Sequence, residues 1–289
     1  MILIDYSQVC MAAIMSFQTE IRKGTPEESK DLIRHVAISS IKSYKKKYGR
    51  EYGDVVICCD GMGYWRKEVF EHYKGMRKKS RDASDFDWKF IFNTLSEIRE
   101  DLYNEFPYKV LNIKRCEADD IIAILTESTQ EFGKNEKVMI VSSDKDFKQL
   151  HKYENVKQFS PMLKKLVVVN KKELSQWMVE HVVKGDAGDG VPNILSPDDT
   201  FMTGTRQKPI SAKRLEEFFV KGYDACMNDD ERNGWKRNAM LVDFDFIPED
   251  LKDTVVEAYE ATPLGNKNSV FNYLVKNRCR MLLDEIDEF

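Results

Sequence analysis

Three short apolar runs that each end in aspartate constrain this chain more than any other feature. "MILID" ends at Asp5, "DVVICCD" at Asp60, and "KVMIVSSDKD" at Asp144 and Asp146. Each run is continuous, rich in β-branched residues and without a helical period, the pattern of a strand buried on both faces of a parallel sheet. Helical stretches over 27–48, 86–105 and 117–131 separate them, and a further short strand, "YKVLNI" at 108–113, precedes the last helix. Strands alternating with helices require right-handed crossovers. The expected fold class is therefore α/β, with a central, mostly parallel sheet flanked by helices. Open sheets of this kind place their sites beyond the carboxyl ends of the strands, where these aspartates fall.

After about residue 170 the pattern changes. "KKELSQWMVEHVV" is helical, the loop "KGDAGDGVPN" follows, and helical segments are expected at 211–221, 228–241, 248–260 and 267–283. This divides the chain into an α/β core over 1–170 and an all-helical lobe over 171–289, packed on the core rather than tethered to it. A chain of 289 residues is long enough for an ample core. No apolar run approaches the roughly 18 residues of a membrane span, so no membrane association is expected. "MILIDYSQ" lacks the basic lead-in of a signal peptide and reaches Asp5 at once. The six cysteines show no zinc spacing and read as reduced core thiols of a cytoplasmic protein.

The acids form a longer series: Asp5, Asp60, Glu117, Asp119, Asp144, Asp146, Asp186 and Asp189. Each alone has an ordinary reading. Asp5 or Asp60 caps the next helix, Asp144 and Asp146 make a turn, and Asp186 and Asp189 serve a tight glycine-rich turn. The acids of "KRCEADDIIAILTE" meet the positive end of a helix dipole. Jointly these readings weaken, because so many like charges at one sheet edge cannot ionise together without cations between them. Carboxylates are hard oxygen ligands, and the four histidines show no ligand spacing, so the expected cofactor is Mg²⁺, with Mn²⁺ as the alternative, rather than zinc. Such a site suits two-ion phosphoryl chemistry, with the ions about 3.5–4 Å apart.

The net charge of −4 runs against a nucleic-acid partner, but its distribution matters more than its sum. If the eight acids are metal-bound, the remainder carries −4 + 8 = +4. Basic residues gather at 42–50 and 66–81, runs that also read as solvated helix faces. The segment "GYWRKEVFEHYKGMRKKSR" puts Arg66, Lys74 and Arg77 near the sheet edge, where a cation can meet a scissile phosphate. Tyr64, Trp65 and Tyr73 either stack on bases or pack a short amphipathic helix, with packing favoured for Trp65.

In this order the motifs resemble the flap endonuclease / 5′-nuclease family, and within it the ribonuclease H branch of T-even bacteriophages, which does not share the ribonuclease H fold. The likeness is carried by "LIDYSQ", "CCDGMGYWRKEVFEHYKGMR", "CEADDIIA", "VSSDKDFKQLHKYENVKQFSPM" and "KGDAGDGVPN". It continues through "LVDFDFIPED" and "VFNYLVK" to "EIDEF". The resemblance implies a PIN-like nuclease core and a helical lobe containing a helix–three-turn–helix that opens at 185–193. It assigns Asp60, Glu117, Asp119 and Asp144 to one metal cluster and Asp146, Asp186 and Asp189 to a second. Asp5 joins the shared acidic pocket, several acids act through water, and Asp120 supports the ligands from behind. Lys74 matches the lysine that approaches the scissile phosphate, and Arg66 a basic residue upstream of it. Residues 75–100 fall where the family builds an arch over a passing single strand, so Tyr73, Arg77, Lys78 and Lys79 are expected to meet nucleic acid. Two departures stand out: Gly190 replaces the asparagine of many relatives, and "SPDDTFMTGTRQKPISAKR" replaces the usual glycine-rich turn.

The implied activity is that of a metal-dependent 5′-to-3′ exonuclease and flap or fork endonuclease. It would remove RNA primers and adjoining DNA during lagging-strand synthesis. The implied partners are RNA–DNA hybrid and forked, flapped or nicked duplex DNA, with a sliding clamp and a single-stranded DNA-binding protein as protein partners. The chain is expected to be a monomer, in the host cytoplasm if viral. The rivals are an inactive junction-binding protein on the same fold and, from the D-x-D in "SSDKD", an aspartate-nucleophile phosphatase. No metal-ligand position is visibly lost, which disfavours the first, and the many additional acids disfavour the second.

Overall fold

The computed structural model describes residues 1–84 and 86–289, which form two compact units. The first comprises 1–62, 86–167 and 252–289, and the second 63–84 and 168–251. Asp85, inside the stretch expected to form an arch, lies outside the described residues.

The first unit is built on a six-stranded sheet. Its strands are β1 (Ile2–Asp5), β2 (Val55–Cys59), β3 (Lys109–Asn112), β4 (Val138–Val141), β5 (Val156–Ser160) and β6 (Lys165–Leu166), in the order β3-β2-β1-β4-β5-β6. All neighbours are parallel except β5 and β6. The expected doubly covered strands are realised: every residue of β1, β2 and β4 is buried. Residues Ile2, Ile4, Val55, Ile57 and Cys59 face a core with α1 (Tyr6–Ser16), α3 (Pro26–Tyr52) and α6 (Trp88–Glu105). Here α3 starts on a Thr25–Glu28 capping box with a proline in its first turn and buries Ile33, Ala37, Ile38 and Ile41 as one stripe. The Asp87 side chain caps α6, which buries Ile91, Leu95, Ile98 and Leu102 at helical spacing. The other face of the sheet receives α7 (Ala118–Ser128), packed on β1 and β2.

The chain's last stretch belongs to this unit. Although the sequence pattern groups 171–289 together, Val270, Tyr273, Leu274, Leu282 and Phe289 are buried in the sheet unit's core. Phe106 meets Tyr273 edge-on at 5.0 Å and Phe289 at 5.5 Å. The helix expected over 267–283 is two pieces, α13 (Asn268–Lys276) and α14 (Arg280–Leu283), separated where Arg278 turns left-handed at φ 57°. Nothing in the sequence signals the short α2 (Gln18–Lys23), β5 and β6, whereas α1 is the helix that the reading of Asp5 as a cap implies.

The second unit joins α4 (Trp65–Val69) and α5 (Met76–Asp82) to α8 (Leu174–Lys184), α9 (Thr200–Thr203), α10 (Ala212–Lys221) and α11 (Asp229–Val242). Phe70, Tyr73, Val182, Val191, Ala239, Leu241 and Val242 form one apolar cluster, and Val183, Ile194, Phe218, Ala225 and Cys226 another. Trp235 packs against both. The stretch 75–100 is therefore not one element: α5 belongs to this unit, while α6 is a core helix of the first. Helix α12 (Glu249–Ala261) begins where the second unit ends. All six cysteines are buried thiols, and no helix among the described residues is long and apolar enough to cross a membrane.

Candidate metal centre

The carboxyl ends of β1, β2 and β4 each release an acid where the ladder ends, because the next residues start a helix or a turn. Asp5 caps α1: its Oδ1 accepts from the Gln8 N–H at 3.1 Å, and its Oδ2 accepts from the Ser142 hydroxyl at 2.9 Å. Ser142 in turn accepts from the Asp144 N–H at 3.1 Å, so a single hydroxyl links the ends of β1 and β4. Asp144 continues the chain of contacts by accepting from the Asp146 N–H at 2.9 Å. Asp60 accepts from the Ser7 hydroxyl at 2.9 Å and from the Ala118 N–H at 3.1 Å, the latter at the start of α7. Its own carbonyl accepts from the Asn112 side chain at 2.7 Å. Gly61 makes that turn possible, since a Cβ there would sit 1.8 Å from the Ile113 carbonyl oxygen.

At the head of α7 the N–H of Glu117 donates to the Asp120 carboxylate at 2.9 Å, and the two acids form a reciprocal capping box. Both are fully buried, whereas Asp119, between them, is partly open. Asp120 thus holds the Glu117 backbone at the start of α7.

Electrostatics mark this group off from ordinary helix caps. Asp5 is raised to about 7, first by burial and then by the charge of Asp60, with Asp144 adding to it. The two hydrogen bonds it accepts pull the other way and do not prevail. The buried Cys58 thiol is likewise pushed up by burial, by Asp5 and by Asp119. Like charges thus converge from the ends of β1, β2 and β4 and the start of α7. A divalent cation would relieve this repulsion, and an all-oxygen donor set fits Mg²⁺ or Mn²⁺.

The second unit holds its acids differently. Helix α8 stops at Gly185, whose φ is 67° and whose Cβ would lie 2.4 Å from the Val191 carbonyl. Asp186 then caps a single turn, accepting from the Gly188 and Asp189 N–H groups at 2.8 and 3.3 Å. Asp189 is embraced by donors. Tyr73 donates to it at 3.0 Å and Arg77 at 2.5 Å, and the Lys74 ammonium lies 3.7 Å away. Lys74 itself adopts a left-handed backbone, φ 55°, which its N–H bond to the Asp189 carbonyl at 2.7 Å holds in place.

Several expected roles are revised here. Tyr73 was expected to meet bases, but it is 3% exposed and its ring lies in the Phe70–Val182 cluster, so it has no face for stacking. Arg66 is 2% exposed, its Nε donates to the Leu241 carbonyl at 2.9 Å, and its guanidinium lies over Trp65. It braces α4 against α11, and Trp65 is buried as expected. Arg77, Lys78 and Lys79 stand exposed on α5. His181 was overlooked: no histidine showed ligand spacing, yet the folded helix end brings a His181 ring nitrogen within 4.8 Å of an Asp186 oxygen. The signal was the five-residue step across a glycine stop. Ser7, Ser142 and Gln158 also went unnoticed, because serines and glutamines carry no pattern in a sequence.

Comparisons with known proteins give the chain's family and fold. The family described as 5′-3′ exonuclease, N-terminal resolvase-like domain, matches residues 1–181, and that described as T4 RNase H, C terminal, matches 172–289. The ribonuclease H of Enterobacteria phage T4 is 33% identical over 299 aligned residues, covering 99% of this chain and 95% of that protein. A flap endonuclease Xni of Shewanella piezotolerans is 31% identical over 48% of this chain and 53% of its own length. Among solved structures, the phage T5 5′-exonuclease with divalent zinc ions bound superposes with a TM-score of 0.64 at 19% identity, over 91% of this chain and 99% of that one. The T5 flap endonuclease in a pseudo-enzyme–product complex with DNA and metal ions gives 0.63 at 18%, over 90% and 98%. With a family match over most of its length and a relative alike from end to end, this chain belongs to the 5′-3′ exonuclease family, in the branch that carries the T4 RNase H C-terminal region.

Proposed function

We propose that the chain is a divalent-metal-dependent 5′-nuclease that removes RNA primers and adjoining DNA from 5′ ends and cuts flaps or forks. The observation that carries this reading is the gathering of Asp5, Asp60 and Asp144 beyond the ends of three parallel strands, with Ser142 joining Asp5 to Asp144, and burial and the neighbouring charges push the Asp5 carboxyl up to about 7. Asp5, Asp60, Glu117, Asp119, Asp144 and Asp146 are the proposed ligands of the sheet unit, and Asp186 and Asp189 those of the second unit. When bound, Mg²⁺ supplies an activated water and stabilises charge on the phosphate and its leaving oxygen.

The chain's own residues do the rest. Ser7, Ser142 and the Gln8 and Ala118 N–H groups hold Asp5 and Asp60 in fixed orientations. Lys74 is the proposed cation for the scissile phosphate, held ready by Asp189. Arg77, Lys78 and Lys79 hold the phosphates of the 5′ strand, and the turns after α8 hold duplex backbone, so substrates are selected by shape and a free 5′ end rather than by base sequence. Support comes from relatives named as a ribonuclease H, in phage T4, and as a flap endonuclease, in Shewanella piezotolerans. The decisive assay follows a 5′-labelled RNA–DNA hybrid and a forked DNA, each with Mg²⁺ or EDTA. Cleavage of both in Mg²⁺ and of neither in EDTA is expected. Binding without cleavage in Mg²⁺ and in Mn²⁺ would make the chain a junction-binding protein instead.

A further inference from the structure

We infer that Gln158 is a positioning residue for the Asp144–Asp146 turn, and that its amide is oriented for this task by His151. The inference rests on the proposed metal centre. Gln158 is 1% exposed on β5, beside Ile140 of β4. Its amide nitrogen donates to the Ser142 carbonyl at 2.9 Å and to the Asp144 carbonyl at 2.7 Å. Both acceptors lie past the end of β4, where the backbone bond from the Ser142 N–H to the Phe159 carbonyl at 3.1 Å still ties the chain to β5. A single side chain from the neighbouring strand therefore extends the hold of β5 to the Ser142 and Asp144 carbonyls. Ser160, two positions on, meets the Ser143 hydroxyl at 2.8 Å and steadies the same turn from the same strand.

The amide can do this in one orientation only. Turned over, its oxygen would face two carbonyl oxygens. With the nitrogen committed to them, Oε1 faces His151 Nε2 at 3.3 Å and must accept, so Nε2 carries the ring proton. His151 closes the short helical segment Asp146–Lys152 that begins at Asp146. The contacts thus form a closed circuit: Asp144, Asp146, the helical turn, His151, Gln158 and back to Asp144. Within the circuit Ser142 still reaches Asp5, so a shift of the turn would move the ends of β4 and β1 together. Partners that lie behind metal ligands commonly set affinity or activity by about 10–100-fold.

The test compares wild type with Gln158→Met, which keeps length and apolar volume but loses both donors, and with His151→Asn, which leaves the Gln158 amide in place. Three readouts are taken: kcat and KM on a 5′-tailed duplex, affinity for Mn²⁺ alone by calorimetry, and hydrogen exchange at the Asp144 and Asp146 amides. Gln158→Met should lower kcat about 10–100-fold with KM within about 3-fold, weaken Mn²⁺ binding by roughly 10-fold, and speed exchange at both amides. His151→Asn should shift all three the same way by less. A Gln158→Met protein that melts earlier yet keeps wild-type kcat, Mn²⁺ affinity and exchange would overturn the inference, leaving Gln158 a packing residue. If Gln158→Met does not fold, unchanged values in His151→Asn overturn it in the same way. Should wild type cut no substrate, the proposed function fails, and the exchange comparison alone decides: faster exchange in the variants supports the clamp, equal exchange rejects it.

Discussion

Two carboxylates in this molecule live opposite lives. Asp189, in the second unit, is met by a tyrosine hydroxyl, an arginine and a lysine of its own unit. Asp5, in the first, is held by one N–H and one hydroxyl, and the charges that act on it are those of Asp60 and Asp144. The first already has hydroxyl and cationic partners from the protein, which leave a metal ion the weaker hold on it. The second is crowded by charges of its own sign, a repulsion that a cation would relieve. Sequence proximity to a family motif treats the two alike, and the folded surroundings separate them.

The sharpest way to break this comparison is Asp144→Asn. If the sheet-unit acids hold the catalytic ion, single-turnover cleavage should fall by about 10³-fold or more, while affinity for a forked duplex holds or rises as repulsion of phosphate is reduced. Near-normal cleavage by the folded variant would remove the centre from catalysis. Lys74→Ala comes next. A loss of ~2–4 kcal/mol in transition-state stabilisation is expected, seen in single-turnover rate more than in gel-shift affinity. Loss of affinity alone would make Lys74 a general phosphate contact.

The third effect is a pH dependence. Asp5 has a folded pKa raised to about 7 from 3.8. The folded state therefore retains a proton that the unfolded chain has released, and stability should fall as pH rises from about 4 through about 7 in metal-free protein. Asp5→Asn should flatten that slope in a chemical denaturation series, and an unchanged slope would detach it from Asp5. Smaller again is Asp189→Asn. It weakens a partly exposed ion pair and a tyrosine hydrogen bond, so about 1 kcal/mol of stability should be lost, together with order at Lys74. Thermal melting alongside the Lys74 amide exchange rate reads both. The smallest change is charge reversal at Lys78 and Lys79, which should weaken 5′-tailed substrates more than blunt duplexes and reduce the salt slope by roughly one unit per lost phosphate contact. Equal weakening on both would show that α5 does not handle the single strand.

Much of the site was legible because charge ended apolar runs: Asp5, Asp60, Asp144 and Asp146 announced themselves at strand ends, and the acidic start of α7 was visible as a cap. The strands that went unread, β5 and β6, alternate or are too short to stand out, and "VKQFS" shows its Gln158 as an interruption rather than a device. Helix α1 was legible only through its cap, Asp5, which also ends a strand. The roles of Tyr73 and Arg66 were misjudged for a common reason. Aromatic and basic residues look alike whether they face solvent or pack, and only the cluster with Phe70, Val182 and Leu241 decides. The grouping of 252–289 with the sheet unit rests on contacts such as Phe106 with Phe289, far apart in sequence and without local signal.

The crowded acids at the ends of β1, β2 and β4 are proposed to hold a divalent cation. Calorimetric titration of Mg²⁺ and Mn²⁺ into metal-free protein at pH 8, in parallel with Asp144→Asn and Asp189→Asn, tests this proposal most directly. Wild type should bind with a rise in melting temperature, and Asp144→Asn should lose far more affinity than Asp189→Asn. Equal metal affinity in wild type and Asp144→Asn, with no rise in melting temperature, would contradict the proposal.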